Sequence, residues 1–127
     1  MSLIRSAAVV FALSSSLLLS PFAQAHSKLL SSTPADQSQG PAPAKIELRF
    51  SENLVAQFSG AKLVMTEMPG MQHPPMTMKT AVSASTDPKT MVITPATPLV
   101  EGTYVVEWRV VSADTHVVTG NVTFTVK

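Results

Sequence analysis

Tyr104-Val105-Val106-Glu107-Trp108-Arg109-Val110 places a large apolar side chain at every second position. Successive side chains of an extended chain point to opposite faces, so Tyr104, Val106, Trp108 and Val110 share one face of a half-buried strand. The same period of two recurs upstream in Lys45-Ile46-Glu47-Leu48-Arg49-Phe50, where Ile46, Leu48 and Phe50 align, and at the C-terminus in Val122, Phe124 and Val126. Weaker strands are expected at residues 61–66, 78–83 and 90–94, with short extended pieces near 28–31 and 54–58.

Proline supports this reading. Pro34, Pro41, Pro43, Pro69, Pro74, Pro75, Pro88, Pro95 and Pro98 fall between apolar segments, where they mark turns and oppose any long helix. About seven short antiparallel strands in roughly 100 residues predict one all-β domain, a Greek-key sandwich or barrel.

The first 25 residues read differently. Arg5 gives a positive start, residues 7–19 form a short apolar run, and Ala23-Gln24-Ala25 fits the small-x-small rule for signal-peptide cleavage. The run falls short of the roughly 20 apolar residues a membrane span needs. Residues 1–25 are therefore expected to be a cleaved leader, and residues 26–127 a soluble exported domain that begins with His26. Loss of Arg5 leaves eight basic against eight acidic residues. A nucleic-acid partner is not expected from a chain without net basic charge.

The chain has no cysteine and seven methionines. Five of the seven lie in Met65-Thr66-Glu67-Met68-Pro69-Gly70-Met71-Gln72-His73-Pro74-Pro75-Met76-Thr77-Met78, with one of the three histidines. Methionine is a flexible filler of cores, and exposed methionine can also form a docking patch. The prolines and Gly70 oppose a helix here, and only Met76 and Met78 alternate as a core strand requires. The segment is therefore expected to be mainly loop. Soft thioethers favour Cu(I), which also accepts imidazole. Residues three apart in extended chain are about 10 Å from each other, so convergence on one ion requires turns. Pro69-Gly70 and Pro74-Pro75 are suited to supply them. Met65, Met68, Met71, Met76 and His73 form the candidate set, and Met78 is either a ligand or the first buried residue of the next strand.

A second set is harder in character. A free N-terminal His26 chelates through its α-amine and ring nitrogen. Asp114-Thr115-His116 follows the long strand, and in extended chain Asp114 and His116 would project to the same side. Imidazole, amine and carboxylate suit tetragonal Cu(II). Glu52, just after the strand ending at Phe50, is a further carboxylate candidate whose other reading is a solvated turn residue.

The N-terminal His26, Ser32-Thr33-Pro34-Ala35, Leu48-Arg49-Phe50-Ser51-Glu52, the methionine segment, and Trp108 to His116 with Gly120 beyond it closely resemble the CopC family of periplasmic copper-resistance proteins. The similarity covers essentially the whole expected mature chain. It implies an immunoglobulin-like Greek-key fold with copper sites at opposite ends. Cu(II) would be held by His26, Asp114 and His116, with Glu52 as an additional contact, and Cu(I) by the methionines and His73. It also implies a CopD-type inner-membrane copper permease and a periplasmic multicopper oxidase as partners.

The rival enzyme reading is a copper-dependent monooxygenase, which also uses an N-terminal histidine. The chain is short, lacks an evident flat aromatic surface for a polysaccharide, and would place the anionic Asp114 beside the metal. Copper carriage without turnover is the expectation. An adhesive immunoglobulin-like domain would explain the fold and leave the methionine segment without a role.

Overall fold

The structure is a computed structural model and describes residues 27–127. The expected leader and His26 lie outside the described residues. Nine strands are present among them: β1 (Leu29–Thr33), β2 (Ser38–Gly40), β3 (Ile46–Phe50), β4 (Gly60–Met68), β5 (Met71–Met78), β6 (Thr80–Ala84), β7 (Thr90–Pro95), β8 (Gly102–Val111) and β9 (Val117–Val126). One sheet has the order β1-β3-β7-β6 and the other β2-β9-β8-β4-β5. The chain changes sheet between β1 and β2, β2 and β3, β3 and β4, β5 and β6, and β7 and β8, consistent with a Greek-key sandwich. All pairs are antiparallel except β2 with β9, a short parallel pairing that the strand pattern did not suggest.

Burial follows the period-two reading. Ile46, Leu48 and Phe50 are fully buried, and Tyr104, Val106, Trp108 and Val110 of β8 meet Val122, Phe124 and Val126 of β9 in the same core. Phe50 packs edge-on against Trp108, with ring centroids 5.0 Å apart. Tyr104 stacks on Phe124 and donates its hydroxyl to the Val100 carbonyl at 2.7 Å, which satisfies the polar end of a buried ring.

Gly120 lies opposite Trp108 in the β8–β9 ladder, and a Cβ there would sit 2.2 Å from the indole. Gly120→Ala should therefore displace the tryptophan and destabilise the fold by about 1–3 kcal/mol, the usual cost of overpacking a core. A urea titration followed by Trp108 fluorescence checks this. An unchanged midpoint would contradict the close packing.

Two local expectations need correction. Residues 54–58 are extended only at their start: Leu54 makes an isolated bridge with Ser112 and Val55 is extended, but Ala56–Phe58 form a single 3-10 turn. The methionine segment is not mainly loop. It forms most of the β4–β5 hairpin, closed by Pro69-Gly70 with Gly70 at φ 73, a conformation glycine adopts without penalty. Pro74 and Pro75 lie inside β5, which is the last strand of its sheet. That is the position where proline's missing N–H is tolerated.

Candidate metal centres

At one end of the sandwich, β8 and β9 are joined by Ser112-Ala113-Asp114-Thr115-His116. The chain is not extended here, as the two-residue spacing had suggested. Thr115 adopts φ 70 and donates its N–H to the Ser112 carbonyl at 2.9 Å, while the Ser112 N–H reaches the His116 carbonyl at 3.3 Å. This tight turn brings Asp114 and His116 together. Asp114 Oδ2 lies 2.8 Å from His116 Nδ1, and Asp114 Oδ1 accepts both the His116 N–H at 3.2 Å and the hydroxyl of Ser112.

The Ser112 hydroxyl, then the contacts with His116, hold the Asp114 carboxyl at a pKa of about 2. It is therefore an ionised acceptor throughout the neutral range. Both side chains remain open to solvent, 40% exposed for Asp114 and 50% for His116.

Three distant segments meet at this end. The Lys28 N–H donates to Ser51 Oγ and the Ser51 N–H to the Lys28 carbonyl, both at 2.9 Å, so the start of the described chain is pinned beside Glu52. Ser27 is itself buried. The Leu54–Ser112 bridge and a 2.8 Å bond from the Val55 N–H to the Val111 carbonyl then tie this segment to the turn. Glu52 is half-buried and lines a shallow recess with Asn53, Lys89, Ser112, Ala113 and Asp114. Among the described residues, no three of His, Cys, Asp and Glu converge on one point, so Glu52 does not complete a triad with Asp114 and His116.

At the other end, the hairpin register decides which methionines can act together. Met65 pairs with Met76, Met68 with Met71, and Leu63 with Met78. Directly opposed residues share a sheet face. Against β8, the step from Met65 to Glu67 spans only Tyr104 to Thr103, a bulge that shifts the alternation by one residue. Without the bulge, Met65 and Met68 would face opposite sides. With it, Met65, Met68, Met71, Met76 and Met78 all lie on the inner face of the sheet.

Burial then divides them. Met65 is 3% exposed and belongs to the core, and Met78 is partly buried against it. Met68, Met71 and Met76 are exposed, at 36%, 61% and 52%. His73 lies on β5 between Met71 and Met76, and its side chain is outside the described ones. Glu67 and Glu101 border the same hairpin tip as Met68.

The two ends are well separated. Glu67 pairs with Thr103 at one end of β8, and Val111 precedes the Asp114 turn at the other. Eight steps at about 3.3 Å make this about 26 Å. Ser112 is the residue that sequence reasoning missed: its only signal was a serine two places before Asp114, a spacing at which hydroxyls often bond to local groups.

Residues 29–127 match the CopC domain family. The chain belongs to that family. It is 71% identical over 111 residues to copper resistance protein C of Pseudomonas syringae pv. tomato, covering 87% of this chain and 88% of that one. It is 58% identical over 106 residues to copper resistance protein C of Escherichia coli, covering 83% and 84%. The crystal structure of PcoC, a methionine-rich copper resistance protein from Escherichia coli, superposes with a TM-score of 0.75 at 56% identity, covering 80% of this chain and 99% of PcoC. This chain shares the two-sheet fold of PcoC.

Proposed function

We propose that this protein is an exported periplasmic copper carrier of copper resistance, with a Cu(II) site and a Cu(I) site at opposite ends of one sandwich and no turnover chemistry. The observation that carries the reading is the segregation of donors. Nitrogen and oxygen donors gather at the Asp114 turn, and exposed thioethers gather on one face of the β4–β5 hairpin, about 26 Å away by strand rise.

At the first end, metal–ligand bonds of about 2.0 Å put neighbouring corners of a square about 2.8 Å apart. Asp114 Oδ2 and His116 Nδ1 already have that separation, 2.8 Å. An ion bound by both would replace their hydrogen bond, each group turning its lone pair from the other toward the metal while the donor separation is kept. The amine and ring of His26 would supply two further corners, reached through the chain entry pinned at Lys28 and Ser51, and Glu52 is placed to add an outer carboxylate. Hard, partly anionic donors in this arrangement suit Cu(II).

At the second end, Met68, Met71 and Met76 offer neutral, polarisable sulfur to Cu(I), with His73 on the same strand. Met65 lies behind them in the core and would be the least accessible donor. Exposed sites at both ends suit hand-over to protein partners, for which a CopD-type copper permease and a periplasmic multicopper oxidase are the proposed candidates.

Electron paramagnetic resonance of the Cu(II) form and X-ray absorption of the Cu(I) form test the assignment. Nitrogen and oxygen coordination is expected for Cu(II), and sulfur for Cu(I), with one ion of each bound at once. Thioether sulfur on Cu(II), or competition of the two ions for one site, would defeat it.

A further inference from the structure

Ser112 continues the buried run Val110-Val111 at the end of β8 and is itself only 2% exposed. A hydroxyl in such a position costs stability unless it is bonded. Its partner is Asp114 Oδ1. The main chain of Ser112 separately closes the turn, through its N–H to the His116 carbonyl, its carbonyl to the Thr115 N–H, and its bridge to Leu54. The backbone bonds fix the turn, and the hydroxyl acts on the carboxylate alone.

We propose that Ser112 is a positioning residue for Cu(II): by holding Asp114 Oδ1, it leaves Oδ2 turned toward His116 Nδ1 and presents the two atoms as a ready-made pair of neighbouring ligands. Without the hydroxyl, the His116 N–H would still hold Oδ1 and the His116 ring Oδ2, but an ion that takes the place of the ring bond would leave the exposed carboxylate freer to rotate about its Cα–Cβ and Cβ–Cγ bonds. Rotation separates the two donors. Holding it in check is the part that groups bonded to first ligands commonly play at metal sites, where their removal typically lowers metal affinity about 10- to 100-fold. This inference rests on the assignment of Asp114 and His116 as Cu(II) ligands.

The test uses the mature protein beginning at His26, titrated separately with Cu(II) and with Cu(I). Ser112→Ala should weaken Cu(II) binding about 10-fold and alter its paramagnetic resonance spectrum, with Cu(I) affinity unchanged. Ser112→Thr keeps a hydroxyl at the same place and should remain within about 3-fold of the parent, a change of about 0.7 kcal/mol, half that of a tenfold step. Urea midpoints of both variants report on the fold. Cu(II) affinity and spectrum unchanged in Ser112→Ala would overturn the proposal. So would a parallel loss of Cu(I) and Cu(II) affinity, the mark of a residue needed only for folding, or an equal Cu(II) loss in the threonine variant. His116→Ala separates the two levels. If it loses Cu(II) while Ser112→Ala does not, the positioning role alone fails; if it retains Cu(II), the ligand assignment fails.

Discussion

Replacing Met68 and Met71 together by leucine will weaken Cu(I) binding by about 100-fold or more, taking each lost sulfur contact as about 1.4 kcal/mol, a factor of ten. The two residues face each other across the hairpin turn and are exposed, so their side chains contribute little packing that leucine would not replace. Volume-conserving changes of this kind cost less than about 1.5 kcal/mol even in a core. Stability should therefore hold while Cu(I) affinity falls. Cu(II) affinity is the internal control, because the Asp114 turn lies at the other end of β8. Competition against a chromophoric Cu(I) chelator measures the effect. Undiminished Cu(I) affinity would return Met68 and Met71 to a docking role.

Extending the mature chain by one residue before His26 will have a comparably large and opposite signature. The α-amine becomes an amide, which is no longer a basic donor, and the chelate with the His26 ring is broken. Losing one donor and its ring closure should weaken Cu(II) binding by about 100-fold, or about 2.7 kcal/mol. Cu(I) binding should not change. Lys28 and Ser51 hold the chain entry through one backbone bond and one bond to the Ser51 hydroxyl, neither of which an added residue touches, so the fold gives no reason for an indirect effect. Isothermal titration of the mature and extended proteins with Cu(II) decides the matter, and equal affinities would exclude the amine as a ligand.

The sandwich was legible because its signal is local. Tyr104, Val106, Trp108 and Val110 announce a face through a period of two, and the prolines announce where strands stop, with no need to know what packs against them. The methionine hairpin was not legible for the same reason. Pro74 and Pro75 read as strand breakers in isolation, and only the position of β5 at the end of its sheet makes them acceptable inside a strand. The common face of Met65, Met68 and Met71 depends on a bulge against β8, about 37 residues later in the chain, and no spacing within the segment encodes it.

The donor types were likewise fixed by composition: thioethers in place of thiols, and one imidazole and carboxylate two residues apart. The Asp114–His116 contact arises from a turn with Thr115 at positive φ, the opposite of the extended geometry that spacing alone suggested. Burial, which separates Met65 from Met68, Met71 and Met76 and turns Ser112 toward Asp114, is a property of the packed sheets. The sequence by itself determined the alternating core strands, the family and the kinds of donor, because each is carried by neighbouring residues. Which donors share a face, which are exposed, and which segments meet at each end were decided by pairing between strands far apart in the chain.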